Sequence, residues 1–137
     1  MKIFIVSFII CFLPCTVSAV EPPLSENLFN DLSPLRTEEI KTALIKNSVT
    51  GISPDSDFSF TVSYPEYGKL TGEAGPWGLY QDEGSWSVKD DIYCARWNQW
   101  LDNVERCYRV YVDGDAIFWV TLDGVLQSED TLIRSLK

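Results

Sequence analysis

Tyr93-Cys94-Ala95-Arg96-Trp97-Asn98-Gln99-Trp100-Leu101-Asp102-Asn103-Val104-Glu105-Arg106-Cys107-Tyr108-Arg109-Val110-Tyr111-Val112-Asp113-Gly114-Asp115-Ala116-Ile117-Phe118-Trp119 is the stretch that decides the fold. Its large apolar residues recur at every second position, the period of a strand with one face buried. If Cys94 sits opposite Cys107, then Tyr93 faces Tyr108, Arg96 faces Glu105 and Trp97 faces Val104. If Asp113-Gly114 is a two-residue hairpin loop, then Val112 faces Asp115, Val110 faces Ile117 and Tyr108 faces Trp119. Both registers place Tyr108, Val110, Ile117 and Trp119 on one face with Tyr93 and Trp97. Trp86 and Val88 join them across an Asp90-Asp91 turn. This is the expected core, in which each buried large side chain contributes about 2 to 3 kcal/mol in transfer terms.

The same pattern extends toward the amino terminus. Phe58, Phe60, Val62 and Tyr64 alternate with Ser59, Thr61 and Ser63. Turn signals at Asp82-Glu83-Gly84, Asp90-Asp91, Asp113-Gly114 and Asp123-Gly124 punctuate the apolar runs. The reading is an antiparallel meander of about six to eight strands curled into a half or closed β-barrel. One helix precedes it: Thr37 is placed to cap, Glu38 and Glu39 complement the positive end of the dipole, and Ile40, Ala43 and Leu44 share a face. The helix is expected to end near Asn47. The fold class is therefore α+β or mostly β, with a single domain over residues 37–137 and an arm over residues 20–36 in which Leu24, Leu28 and Phe29 offer apolar contacts.

Residues 1–19 have the layout of a secretory signal: Lys2, an apolar run from Ile3 to Leu13, then Val17 and Ala19 at the −3 and −1 positions of a cut after Ala19. The apolar run is shorter than the roughly 20 residues of a spanning helix. Phe12-Leu13-Pro14 is a poor lipidation box for Cys15. A periplasmic or secreted location follows, with no membrane span after cleavage. Loss of Lys2 takes the 11 basic residues to 10 against 20 acids, a formal charge of −10 that repels nucleic acid and anionic membranes. Cys94 and Cys107, the two cysteines left after cleavage, are expected to form a disulfide, as exported pairs do. It would contribute roughly 3 kcal/mol in a chain-entropy estimate.

The chain contains no histidine, which removes the usual parts of a Ser-His-Asp triad, imidazole metal ligation and histidine pH switching. Carboxylates remain. A meander puts Asp90, Asp91, Asp113 and Asp115 at one end, where oxygen ligands would suit calcium, but aspartates also simply build turns. Asp55-Ser56-Asp57 lacks the rest of an EF-hand loop. No metal and no cofactor is expected. The candidate binding residues are Trp100 and Leu101, in the tip between Trp97 and Val104, and Trp77 in Pro76-Trp77-Gly78-Leu79-Tyr80, since loops mount recognition residues and an indole stacks or anchors. The favoured alternative is that Trp100 folds back to close the open end of the sheet, with Leu101 buried beside it.

Gly84-Ser85-Trp86 matches the glycine-x-tryptophan signature of lipocalin and avidin-like barrels, although that motif opens the first lipocalin strand and here falls past the middle of the chain. A broader likeness runs from Arg36 to Gly124. The Thr37-Glu38-Glu39-Ile40 helix, Asn47-Ser48-Val49-Thr50-Gly51, Gly84-Ser85-Trp86-Ser87-Val88, Tyr93-Cys94-Ala95-Arg96-Trp97 and Cys107-Tyr108-Arg109-Val110 resemble small exported proteins of Gram-negative bacteria. That resemblance implies an envelope location and supplies no catalytic residue. Asn47 stands where the group carries glycine, and asparagine tolerates the left-handed cap conformation. The functional expectation is a monomeric, non-enzymatic binding module for a small molecule, a glycan or an envelope protein. Its alternatives are an inhibitor of a cationic hydrolase such as lysozyme and a two-carboxylate hydrolase.

Overall fold

The computed structural model describes residues 29–53 and 56–136. The signal segment, its cleavage point, Cys15, Leu24, Leu28 and Asp55 lie outside them. Among the described residues, helix α1 (Thr37–Leu44) precedes eight strands. They are β1 (Ser48–Ile52), β2 (Ser59–Glu66), β3 (Lys69–Ala74), β4 (Tyr80–Lys89), β5 (Ile92–Trp97), β6 (Arg106–Asp113), β7 (Ala116–Val120) and β8 (Leu126–Ile133). Each strand pairs antiparallel with the next, and β8 returns to β1 through Val49 opposite Leu132, so the meander is a closed barrel.

Alternation along each strand sends one set of side chains inward. Val49, Tyr64, Leu70, Trp86, Val88, Tyr93, Trp97, Val110, Ile117, Trp119 and Leu132 are buried in one cluster with Ile40 and Leu44 of the helix. Helix α1 thereby plugs one end of the barrel. Its N-terminus is held from afar: the Asp91 carboxylate accepts from the Thr37 N–H (2.7 Å) and hydroxyl (3.0 Å). Thr37 is thus the first helical residue rather than the cap, and Arg36 precedes it with its N–H donated to Glu39 (2.7 Å). The helix stops at Leu44, earlier than its apolar pattern suggests, because Lys46 turns left-handed (φ 64°) and its N–H goes to the Tyr64 carbonyl. Asn47 donates its side-chain amide to the Ala43 carbonyl (2.7 Å), so it caps through its side chain and not through its backbone conformation.

Cys94 and Cys107 form a disulfide across β5 and β6, with Tyr93 opposite Tyr108. That ladder ends at Ala95–Arg106. The expected pairs Arg96–Glu105 and Trp97–Val104 do not form, because the chain peels away to build the tip and Arg96 Nε donates to the Asn103 carbonyl (3.0 Å). The β6–β7 turn is Gly114-Asp115, one residue later than Asp113-Gly114, and Val110 therefore faces Trp119 and Val112 faces Ile117. This moves the register by two, which preserves every inward face. Asp82-Glu83-Gly84 is not a turn but the interior of β4, pairing with β3 through Gly72–Asp82. The Asp90-Asp91 turn is as read, both residues left-handed between Lys89 and Ile92.

Strand β7 is buried on both faces: Ile117 and Trp119 point inward, and Phe118 and Val120 are buried on the outside. On that outer side Phe29 lies edge-on to Tyr111 (5.9 Å), the cross-strand partner of Phe118. The described end of the arm, residues 29–36, docks there, and the Leu35 N–H donates to the Val110 carbonyl (2.8 Å).

Candidate functional site

Because α1 closes one end, the barrel of the described residues opens at the other, where the β1–β2, β3–β4, β5–β6 and β7–β8 loops gather. A lumen descends from this mouth in two depths. The outer chamber, about 390 Å³, is walled by Ile52, Phe60, Trp97, Trp100, Leu101 and Tyr108. The inner chamber, about 160 Å³, continues past Phe60, Trp97 and Tyr108 to Tyr64, Tyr93, Trp119 and Asp130. Below it the rings lock together. Tyr93 packs on Trp119 (4.9 Å) and Trp86 (5.9 Å), Tyr64 meets Trp86 edge-on (5.4 Å), and the Tyr64 and Tyr93 hydroxyls share a hydrogen bond (3.2 Å). Burial raises both phenols well above their ordinary range.

Two inward glycines create the space. At Gly72 a Cβ would fall 2.6 Å from the Trp97 ring and closer still to that of Trp100, so the two indoles lie over bare backbone. At Gly51 a Cβ would fall 2.8 Å from the Phe60 ring and onto the Asp130 carboxylate. Gly84-Ser85-Trp86 lies in the wall, where the Trp86 indole donates to the Lys69 (2.9 Å) and Glu66 (3.3 Å) carbonyls.

The tip carrying Trp100 is a short 3-10 turn over Trp100–Asn103. Leu101, Asp102 and Asn103 are all left-handed (φ 52°, 59° and 55°), a conformation costing roughly 1–2 kcal/mol at each non-glycine residue. Asp82 holds it in place by accepting from the Gln99 (2.9 Å) and Trp100 (2.8 Å) N–H groups. Burial opposes the charge on Asp82, but the backbone donors prevail and hold its carboxyl below the usual range. Trp100 lies half-buried on Trp97, centroids 4.8 Å apart, while Leu101 is 45% exposed at the rim. Trp100 therefore packs on the core and also lines the mouth, while Leu101, expected to be buried beside it, stays at the rim. Trp77 is on the β3–β4 loop at the same end, left-handed (φ 54°) and fully exposed, and lines neither chamber.

Two further polar residues complete the lumen: Asp130, which the sequence reading did not single out, and Arg106, which it did not assign to a site. Asp130 is buried, accepts from the Ser128 hydroxyl (3.2 Å), and is pushed by burial up to about 6. The signal was there in the alternation of Ser128, Asp130 and Leu132 in β8, which places an acid on the inward face. Arg106, in register with Tyr108 and Val110, faces the same lumen at the mouth.

Among the described residues, the turn aspartates are not brought within ligand distance of one another as a group. Asp91 is spent on Thr37, and Asp115 pairs with Arg134. Among the described residues, the group close enough to share an ion is Cys94, Glu105 and Cys107, whose sulfurs are committed to the disulfide. No described helix is long and apolar enough to cross a membrane. No family profile, no curated protein and no solved structure matches the chain.

Proposed function

We propose that this chain is an exported binding module that takes a small, largely aromatic or apolar molecule into the barrel lumen. The carrying observation is the lumen itself: plugged by Ile40 and Leu44 at one end, open at the other, and lined by Phe60, Trp97, Trp100 and Tyr108. Such a concave, mostly apolar cavity with a few polar groups is the general form of a small-molecule site. The disulfide supports an oxidising location, in keeping with the signal-like residues 1–19 and the resemblance to exported envelope proteins.

The test is titration with a neutral fluorescent hydrophobe, N-phenyl-1-naphthylamine, read through probe emission and tryptophan quenching. Saturable one-to-one binding, abolished by filling the lumen with Val62→Trp in a folded variant, supports the reading. Absence of saturable binding to the folded protein would sink it.

A second reading draws on the rim. Ile52, Phe58, Leu79, Val104, Leu122 and Val125 are exposed on the loops around the mouth, beside Trp77 and Leu101. An apolar crown of this kind also suits a protein segment capping the opening. A partner of that sort would displace the probe, and Leu122→Ser, outside the lumen, would weaken the partner while sparing the probe.

A further inference from the structure

We infer that the lumen selects a primary-amine ligand, its ammonium group seated on Asp130 inside a cage of aromatic rings. The inference rests on the small-molecule reading above and names the chemistry of that ligand.

Three observations converge on the inner chamber. Asp130 is only 7% exposed, lies on the chamber wall, and among the described residues has no lysine or arginine nitrogen within 4.0 Å. A buried carboxylate needs a counter-charge or a proton, because desolvation of an unpaired ion is expensive. Around it stand Phe60, Tyr64, Tyr93 and Trp119, and ring faces attract an ammonium group by their quadrupoles, most strongly where water is excluded. Finally, Gly51 opposes the carboxylate where any side chain would collide with it, so the backbone leaves room for Asp130 to keep an inward position.

Arg106 is the rival determinant. It lies at the mouth, exposed, and would favour an anion held at the rim. Arg106 also lines the near end of the inner chamber, but it makes no ion pair with Asp130, the acid of that chamber, and the acidic chain as a whole draws cations toward it. The other groups facing Asp130 are the phenols of Tyr64, Tyr93 and Tyr108; Glu129, its neighbour in β8, adds negative charge. Protonation of Asp130 removes the seat, so amine binding declines as pH falls through about 6.

The experiment is calorimetric titration of the folded protein with 2-phenylethylamine, 2-phenylethanol and 3-phenylpropanoate, which share a ring and differ in the polar end. At pH 8 the amine is expected to bind at least 10-fold more tightly than the alcohol, with the advantage lost at pH 5 and in Asp130→Asn. Arg106→Gln should leave it or enlarge it. Equal binding of amine and alcohol, or tightest binding of the carboxylate with loss in Arg106→Gln, overturns the inference. If the naphthylamine probe still binds, the small-molecule reading survives; if neither probe nor amine binds, both fall. Should Asp130→Asn not fold, the pH series on the unmodified chain decides the matter alone.

Discussion

The carboxylate of Asp91, in the β4–β5 turn, caps the helix that begins at Thr37, accepting from its backbone N–H at 2.7 Å across 54 residues of sequence. The Asp91 N–H in turn donates to the Thr37 hydroxyl (3.0 Å). The plug of the barrel is thus fastened by a hairpin of its wall. Asp91→Ala is expected to cost about 1–2 kcal/mol, the range for a lost N-cap and its interaction with the helix dipole. Urea denaturation measures the loss, and amide exchange should rise first at Ile40 and Leu44.

Gly51→Ala should destabilise by about 1–3 kcal/mol, the range for overpacking, because its methyl group meets Phe60 and Asp130. Gly51→Ala combined with Asp130→Ala should cost less than the two single changes added together. A double-mutant cycle on denaturation midpoints reads this coupling, and strict additivity would show that the two positions do not share space.

Asp130 gives stability a pH dependence of definite sign. Its folded pKa of about 6 lies above the unfolded value of about 4, so the fold gains as pH falls through this window and its ionised form works against folding above it. The unmodified chain should therefore lose more stability between pH 5 and pH 8 than Asp130→Asn does. Chemical denaturation of both proteins at the two pH values is the measurement; parallel curves would contradict the burial of an ionisable group there.

Trp100→Ala is expected to cost about 1–2 kcal/mol, less than the 3–5 kcal/mol of a fully buried aromatic truncation, because its indole is half-buried against Trp97. Trp77→Ala, at a fully exposed indole, should fall within about 0.5 kcal/mol of the unmodified protein. Only the first should weaken the naphthylamine probe. Equal effects of the two on stability and binding would mean that the Trp97–Trp100 contact carries no weight.

Strand content, the inward face and the disulfide were legible because they depend on local alternation and on cysteine count. The β6–β7 register illustrates the limit of that information. Asp113-Gly114 satisfies turn chemistry, yet the loop closes on Gly114-Asp115, and both choices bury Val110, Ile117 and Trp119. Asp82 was misread for a different reason. Next to Glu83 and Gly84 it has turn composition, but its carboxylate serves N–H groups on Gln99 and Trp100, across the β4–β5 hairpin. The mouth residues Trp100 and Leu101 stood out as apolar residues in a polar tip. Asp130 did not, since its inward place follows from the alternation with Ser128 and Leu132 only once residues 126–133 are known to be a strand of the barrel.

The seam between β1 and β8 sets the order in which this protein can come into being. Val49 belongs to the first strand and waits for Leu132 of the last, so nothing zips shut until the whole wall has been made. Pairings this distant in sequence slow folding, since the intervening chain must be brought to order before they reward it. The closed barrel is thus the last product of the wall's assembly. Once shut, it presents no unpaired strand border to its neighbours, whereas a chain cut short of Thr131 would have two and would recruit other copies through them.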